Sequence, residues 1–356
     1  MELNNIISKI KNLTQSFRKV VPHGKKIFGF DLGSYSIKIA EIALEKDQIV
    51  FKSFLQGRTY KGVLINGIIG DFQQLLNNLS HIISTIPYFP EEISLALPYD
   101  LLIFDYFKIE NLPDDAEIKE KINQEIPYKI EDVYYSYYIV PEKEDYKIFF
   151  LVVKKEVVES YLKLFESVNC KIKSIDGDFI NLHNLCEYLQ YKKTKVIIDW
   201  GYSKIKILFS DKEYPIYGRE LFNLGLQRLE KEIMKELGVT LDAAQEMIVN
   251  PERAEGYTGF KEVYLEYISE VISEIRDTIF FIGDKFDVHP EIIIIVGGGG
   301  RIPGICELMT ELLKIKTQTL KIEEKIKVSE NIDPSYLSVI NTQGAIAVAT
   351  ALREFL

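Results

Sequence analysis

Residues 27–42 read IFGFDLGSYSIKIAEI, and their reading decides the fold. Phe28 and Phe30 alternate with Gly29 and Asp31. A polar turn, Gly33-Ser34-Tyr35-Ser36, then leads into Ile37, Ile39 and Ile42, interrupted by Lys38 and Glu41. Alternation of period two on both sides of a small-residue turn predicts a β-hairpin with an acid at the end of its first strand. N–H groups and hydroxyls gathered in such a turn can hold phosphate oxygens, with Asp31 anchoring magnesium through water and Lys38 acting as a point charge on a phosphate. The same residues also suit an ordinary hairpin turn, and one hairpin does not choose between the two.

A repeat changes the balance. Lys195–Phe209, KVIIDWGYSKIKILF, follows the first hairpin element for element. Ile198-Asp199-Trp200-Gly201 stands against Phe30-Asp31-Leu32-Gly33, and Ile205-Lys206-Ile207 against Ile37-Lys38-Ile39. Two such turns predict duplicated α/β halves facing one another, with acidic hairpins opposed across a cleft, and favour a phosphate clamp. A third signal is EIIIIVGGGGRIPGICELMTELL at 291–313: a buried strand over Ile292–Val296, the run Gly297–Gly300, and a helix over Ile305–Leu313. Glycines between a strand and a helix let a base or a phosphate approach the main chain closely. The dinucleotide fingerprint does not fit, because the G-x-G-x-x-G spacing and the acid about 20 residues further on are not both present.

Around these pieces the chain alternates strands and helices. A strand at 49–54, a glycine-punctuated loop, an amphipathic helix at 71–86 and a strand at 93–97 make an α/β layer. Residues 101–172 predict a compact βαββα unit, its two middle strands joined by the polar PEKED turn. A strand-turn-helix follows at 171–190, and Lys192-Lys193 marks a linker. In the second half, 214–219 is a strand, and helices at 224–237, 241–249 and 263–286 form an inserted helical part. The segment 341–352, NTQGAIAVATAL, is a small-residue helix suited to close packing against the first half.

Composition bounds the function. With 47% apolar and 27% charged residues, the 356-residue chain is that of a soluble globular protein with room for two domains. The net charge of −10 argues against general nucleic-acid binding. Three scattered cysteines predict no disulfide framework and a reducing cytoplasm, and four histidines without ligand spacing predict no zinc site. Residues 1–26 carry a charge of about +5 against about −15 for the rest, with Leu3, Ile6, Ile7, Ile10, Leu13 and Phe17 at helical spacing. This basic amphipathic arm suits an anionic membrane surface or a partner, and equally a frayed extension. No apolar core precedes a small-residue site, so no signal peptide is expected.

With these motifs in order, the sequence resembles the actin/Hsp70/sugar-kinase ATPase superfamily. Its two phosphate loops, two connecting helices and adenosine loop correspond to 31–38, 199–207, 176–185, 341–349 and 296–304. Within that superfamily the chain resembles the PilM family of type IV pilus inner-membrane platform proteins, and more distantly FtsA. The nearer likeness rests on the subdomain at 101–172, the stretch IPYKIEDVYYSYYIVP at 126–141, and an end directly after the last connecting helix, where FtsA carries a membrane-targeting tail.

The resemblance implies a duplicated actin-like, ribonuclease H-like ATPase fold with two lobes around a nucleotide cleft. The first lobe is expected from 27–100 with 173–193 and 341–356, holding the α+β insert at 101–172. The second is expected from 194–340, with a helical insertion at about 222–288. The resemblance further implies ATP with magnesium as cofactors, Asp31 and Asp199 facing the metal through water, and Ser34, Ser36 and Lys38 with Gly33 on the phosphates. Gly201, Tyr202 and Ser203 would form the opposite loop, Gly297, Gly298, Gly299, Gly300 and Arg301 would bracket adenosine, and Asp176 would sit near the attacking water. Two departures, Lys204 in place of threonine or serine and Glu230 in place of threonine, leave binding intact and count against efficient hydrolysis. The implied role is a cytoplasmic ATP-binding scaffold, peripheral at the inner membrane, working with other pilus platform and motor components. Its partner would be the N-terminal peptide of a PilN-like membrane protein. A small-molecule kinase using Asp176 or Asp178 as base, an FtsA-like division adaptor and a nucleotide-free adaptor are the alternatives.

Overall fold

The computed structural model describes residues 25–142, 145–211 and 214–356, so all but the last two residues of the arm at 1–26 and the middle of the PEKED turn lie outside the described residues. Two sheets repeat one plan. In the first, β1 (Lys26–Leu32), β2 (Ser36–Glu45) and β3 (Gln48–Arg58) form an antiparallel meander. On its other side β1 pairs in parallel with β6 (Glu92–Leu97), and β6 with β10 (Lys171–Gly177). In the second, β11 (Lys195–Trp200), β12 (Lys204–Asp211) and β13 (Tyr214–Phe222) make the same meander. Here β11 pairs in parallel with β14 (Ile292–Val296), and β14 with β15 (Lys316–Thr319). The order β10-β6-β1-β2-β3 thus matches β15-β14-β11-β12-β13 strand for strand, as a duplication requires.

Each central strand is apolar on both faces because helices cover both. Between the sheets lie α4 (Asp178–Tyr188) and α10 (Ala345–Leu352), which touch through Asn181 Nδ2 donating to Thr350 Oγ1 at 3.2 Å. The small residues of α10 let it press onto β1: a β-carbon on Gly29 would stand 2.2 Å from the Ala347 carbonyl oxygen. On the outer face of the second sheet α5 (Leu226–Leu237), α6 (Leu241–Val249) and α7 (Phe260–Phe286) bury Trp200 completely. The indole N–H donates to Tyr267 Oη at 3.0 Å, and that hydroxyl donates to the Leu224 carbonyl at 2.7 Å, so neither buried polar group lacks a partner.

Residues 101–166 supply a third sheet, ordered β7-β9-β8 from β7 (Leu102–Ile109), β8 (Val133–Pro141) and β9 (Tyr146–Lys154). The helix α2 (Asp115–Glu125) packs Ile118 and Ile122 on it. The next helix, α3 (Lys155–Glu166), packs on the first sheet instead, where Phe165 meets the edge of Phe30 at 5.2 Å. Two short pairings lie beyond the strands expected from the sequence. One is the hairpin β4 (Leu64–Ile65) and β5 (Ile68–Ile69), turned on Asn66-Gly67 with both φ angles positive. The other is β16 (Lys327–Val328), which joins the first sheet beside β3, so the chain has returned to that sheet ahead of the expected boundary at 341. Among the described residues no helix is long and apolar enough to cross a membrane.

Candidate functional site

Both hairpin turns close in the same way. Gly33 N–H donates to the Ser36 carbonyl at 3.1 Å, and Gly201 N–H to the Lys204 carbonyl at 3.0 Å. Strand register then sets Asp31 opposite Lys38 and Asp199 opposite Lys206, each pair on one face of its hairpin. The ammonium of Lys38 lies 2.8 Å from Asp31 Oδ2, and that of Lys206 lies 2.9 Å from Asp199 Oδ2. The tips meet where Ser34 Oγ donates to Ser203 Oγ at 3.3 Å, and the rings of Tyr35 and Tyr202 stand 4.6 Å apart.

A cavity of about 410 Å³ opens between the two turns. Every residue expected on the phosphates or the adenosine lines it except Gly299 and Gly300. Those two glycines serve packing: a β-carbon on Gly299 would stand 2.1 Å from the Trp200 ring, and one on Gly300 would stand 2.9 Å from Thr342 Cγ2. Gly297, at φ +79°, does face the cavity; its β-carbon would collide with Asp199 Oδ1 at 2.6 Å. Close approach to the second acid therefore needs a glycine at 297.

Asp176 is not at the cavity. It lies one residue before the end of β10 and is held by Arg353, whose Nε donates to Asp176 Oδ2 at 2.5 Å. The acid that enters is Asp178, the first residue of α4, which is buried and paired with the Lys206 ammonium. Burial pushes its carboxyl up to about 6 against the pull of Lys206. Burial also works against the charge on Lys206, but Asp178 and Asp199 outweigh it and hold the ammonium protonated above its ordinary range.

The two departures from the superfamily pattern acquire structural roles. Lys204 is buried between Glu220, at 3.1 Å, and Asp100, on the segment leaving β6, and so ties the second hairpin to the first half of the chain. Burial pushes its ammonium down from the usual lysine range. Glu230 on α5 accepts from Gln245 Nε2 at 2.8 Å, and Gln245 Oε1 accepts from Tyr35 Oη at 3.1 Å. Burial raises the Glu230 carboxyl. Tyr35 also lies under the Arg58 guanidinium, 3.6 Å from its ring centre. Arg58, Tyr35, Gln245 and Glu230 thus bridge the halves over one side of the cavity. The register echo could have singled out Lys206; the bridge joins residues too far apart in sequence to be read there.

The donor chemistry suits a hard divalent cation held through water, since Asp31 and Asp199 offer carboxylate oxygens. Among the described residues no cluster of three or more His, Cys, Asp or Glu side chains is disposed to ligate a metal directly. Each of the two carboxylates already has a lysine ammonium against it.

Residues 29–355 match the family described as type IV pilus assembly protein PilM. No curated protein matches the chain in sequence. Among solved structures, a PilM–PilN type IV pilus biogenesis complex is similar with a TM-score of 0.79 at 18% identity, covering 93% of this chain and 98% of that one. The ethanolamine utilization protein EutJ from Carboxydothermus hydrogenoformans is similar with a TM-score of 0.57 at 12% identity, over 99% of this chain and 98% of the other. MreB 5 of Spiroplasma citri bound to AMPPNP reaches 0.51 at 12% identity, over 90% and 95%. Together with the duplicated sheets, these likenesses give the actin-like ATPase fold.

Proposed function

This chain belongs to the PilM family of type IV pilus assembly proteins, and we propose that it is a nucleotide-gated scaffold of the pilus assembly platform. ATP occupies the cavity between the hairpin turns, and the N-terminal cytoplasmic peptide of a PilN-like inner-membrane protein docks beside the β7-β9-β8 sheet. One observation carries the nucleotide reading: the Asp31–Lys38 and Asp199–Lys206 pairs, at the same register of their hairpins, face one cavity also lined by Gly297 and Gly298. Asp31 and Asp199 would hold magnesium through water, and the ion would supply positive charge against the polyphosphate. Gly33, Ser34 and Ser36 take phosphate oxygens from one side, and Gly201, Tyr202 and Ser203 from the other.

The partner reading draws on the likeness to the PilM–PilN complex and on the edge that β8 leaves at one side of its sheet, where Tyr134 is exposed. An extended peptide can add to such an edge. Packed rings join this sheet to the cavity. Phe149 meets Phe104 at 5.9 Å and Phe104 meets Phe179 at 5.2 Å, next in sequence to Asp178. Nucleotide works here by shifting the population of lobe arrangements that accept the peptide. Co-purification with a PilN-like tail peptide in the presence and absence of ATP tests the assignment. Capture in at least one state is expected, and capture in neither contradicts it.

A further inference from the structure

Three carboxylates converge on the cavity from different parts of the chain, and two lysines answer them. Lys38 sits against Asp31 within its own hairpin. Lys206 is placed differently, because its ammonium contacts Asp199 across its hairpin and also Asp178, brought in from the start of α4. All five side chains line the same cavity. We propose that, without nucleotide, Lys206 is the counter-cation of the cleft, closing Asp178 and Asp199 to divalent metal until a polyphosphate draws its ammonium away.

Two carboxylates sharing an ammonium present little net negative charge to a hydrated divalent ion, which sheds its water reluctantly and needs several oxygen donors. Lysine suits the task better than a fixed metal. It is a compact charge on a flexible four-carbon stem, able to swing from carboxylate to phosphate without leaving the site. A polyphosphate entering between the turns offers the ammonium a denser anion than either carboxylate. With Lys206 displaced, Asp199 would be free to hold, through water, a metal that comes with the nucleotide. Metal loading is therefore conditional on nucleotide. This inference rests on the reading of the cavity as a polyphosphate site, but its test contains no nucleotide and can fail independently of that reading.

The probe is Mn²⁺ titrated into the nucleotide-free full-length protein, with free Mn²⁺ followed by electron paramagnetic resonance. Wild type is expected to take up no Mn²⁺ above its surface background. Lys206→Met should gain one site per chain, roughly tenfold or more tighter than that background. Lys206→Arg, which keeps the charge, should stay at the wild-type level, and adding Asp199→Asn to Lys206→Met should remove the gained site. A wild-type protein that binds one Mn²⁺ tightly without nucleotide overturns the proposal whether or not any variant folds. A folded Lys206→Met, verified by circular dichroism, that gains no site overturns it as well.

Discussion

A β-carbon on Gly297 would stand 2.6 Å from Asp199 Oδ1, so the glycine loop lies directly against the acid of the second hairpin. Its φ of +79° adds strain for any other residue. Gly297→Ala is expected to cost about 2 kcal/mol of stability and to displace Asp199. Denaturant unfolding and calorimetric ATP titration on the same samples would measure the two effects.

Gly299→Ala should act through the core instead. Its added methyl would enter the buried Trp200 ring, so about 3 kcal/mol should be lost. The indole fluorescence of Trp200, the one tryptophan in the chain, should change as its packing shifts.

Lys204→Met would leave the half-buried Asp100 and Glu220 without the cation they share. Losing one member of a buried ion cluster costs about 3 kcal/mol. Adding Asp100→Asn and Glu220→Gln should recover most of that loss in chemical denaturation. A single variant as stable as wild type would show that the cross-cleft pair carries no weight.

Burial pushes the Asp178 carboxyl up to about 6 in the folded protein, above its ordinary value. The folded state therefore binds this proton more tightly than the unfolded chain does. The resulting stability is present in full below the ordinary carboxylate range and is lost as pH rises through about 6. Asp178→Asn should flatten the stability profile between pH 4 and pH 7, on the order of that window, as followed by urea midpoints.

Tyr134 is exposed on the edge strand β8. Tyr134→Ala should leave the melting temperature unchanged while weakening a PilN-like peptide by roughly tenfold, read by fluorescence anisotropy. Unchanged affinity would move the docking site away from this edge.

Much of this was legible because the decisive signals are local. An Asp-x-Gly turn between alternating strands announces itself in about eight residues, and its repetition gave the duplication. What escaped depends on distant partners. Asp176 and Asp178 flank Gly177 at a strand-to-helix junction, and only the direction in which the chain leaves β10 decides which acid meets Lys206 and which meets Arg353. The four glycines look equivalent in sequence, yet Trp200, from another strand, fills the space beside Gly299. The two-residue β16 has no periodicity to read. The Asn66-Gly67 turn, by contrast, carried a readable hairpin signal.

On the proposed function, the cavity between the two Asp-Gly hairpins holds a nucleotide. Its most direct test is calorimetric titration of Mg-ATP into wild type and Asp31→Ala. Saturable binding at one site per chain that is lost in the variant is the predicted result. Absence of heat from a folded wild type, or equal binding by the two proteins, would contradict it.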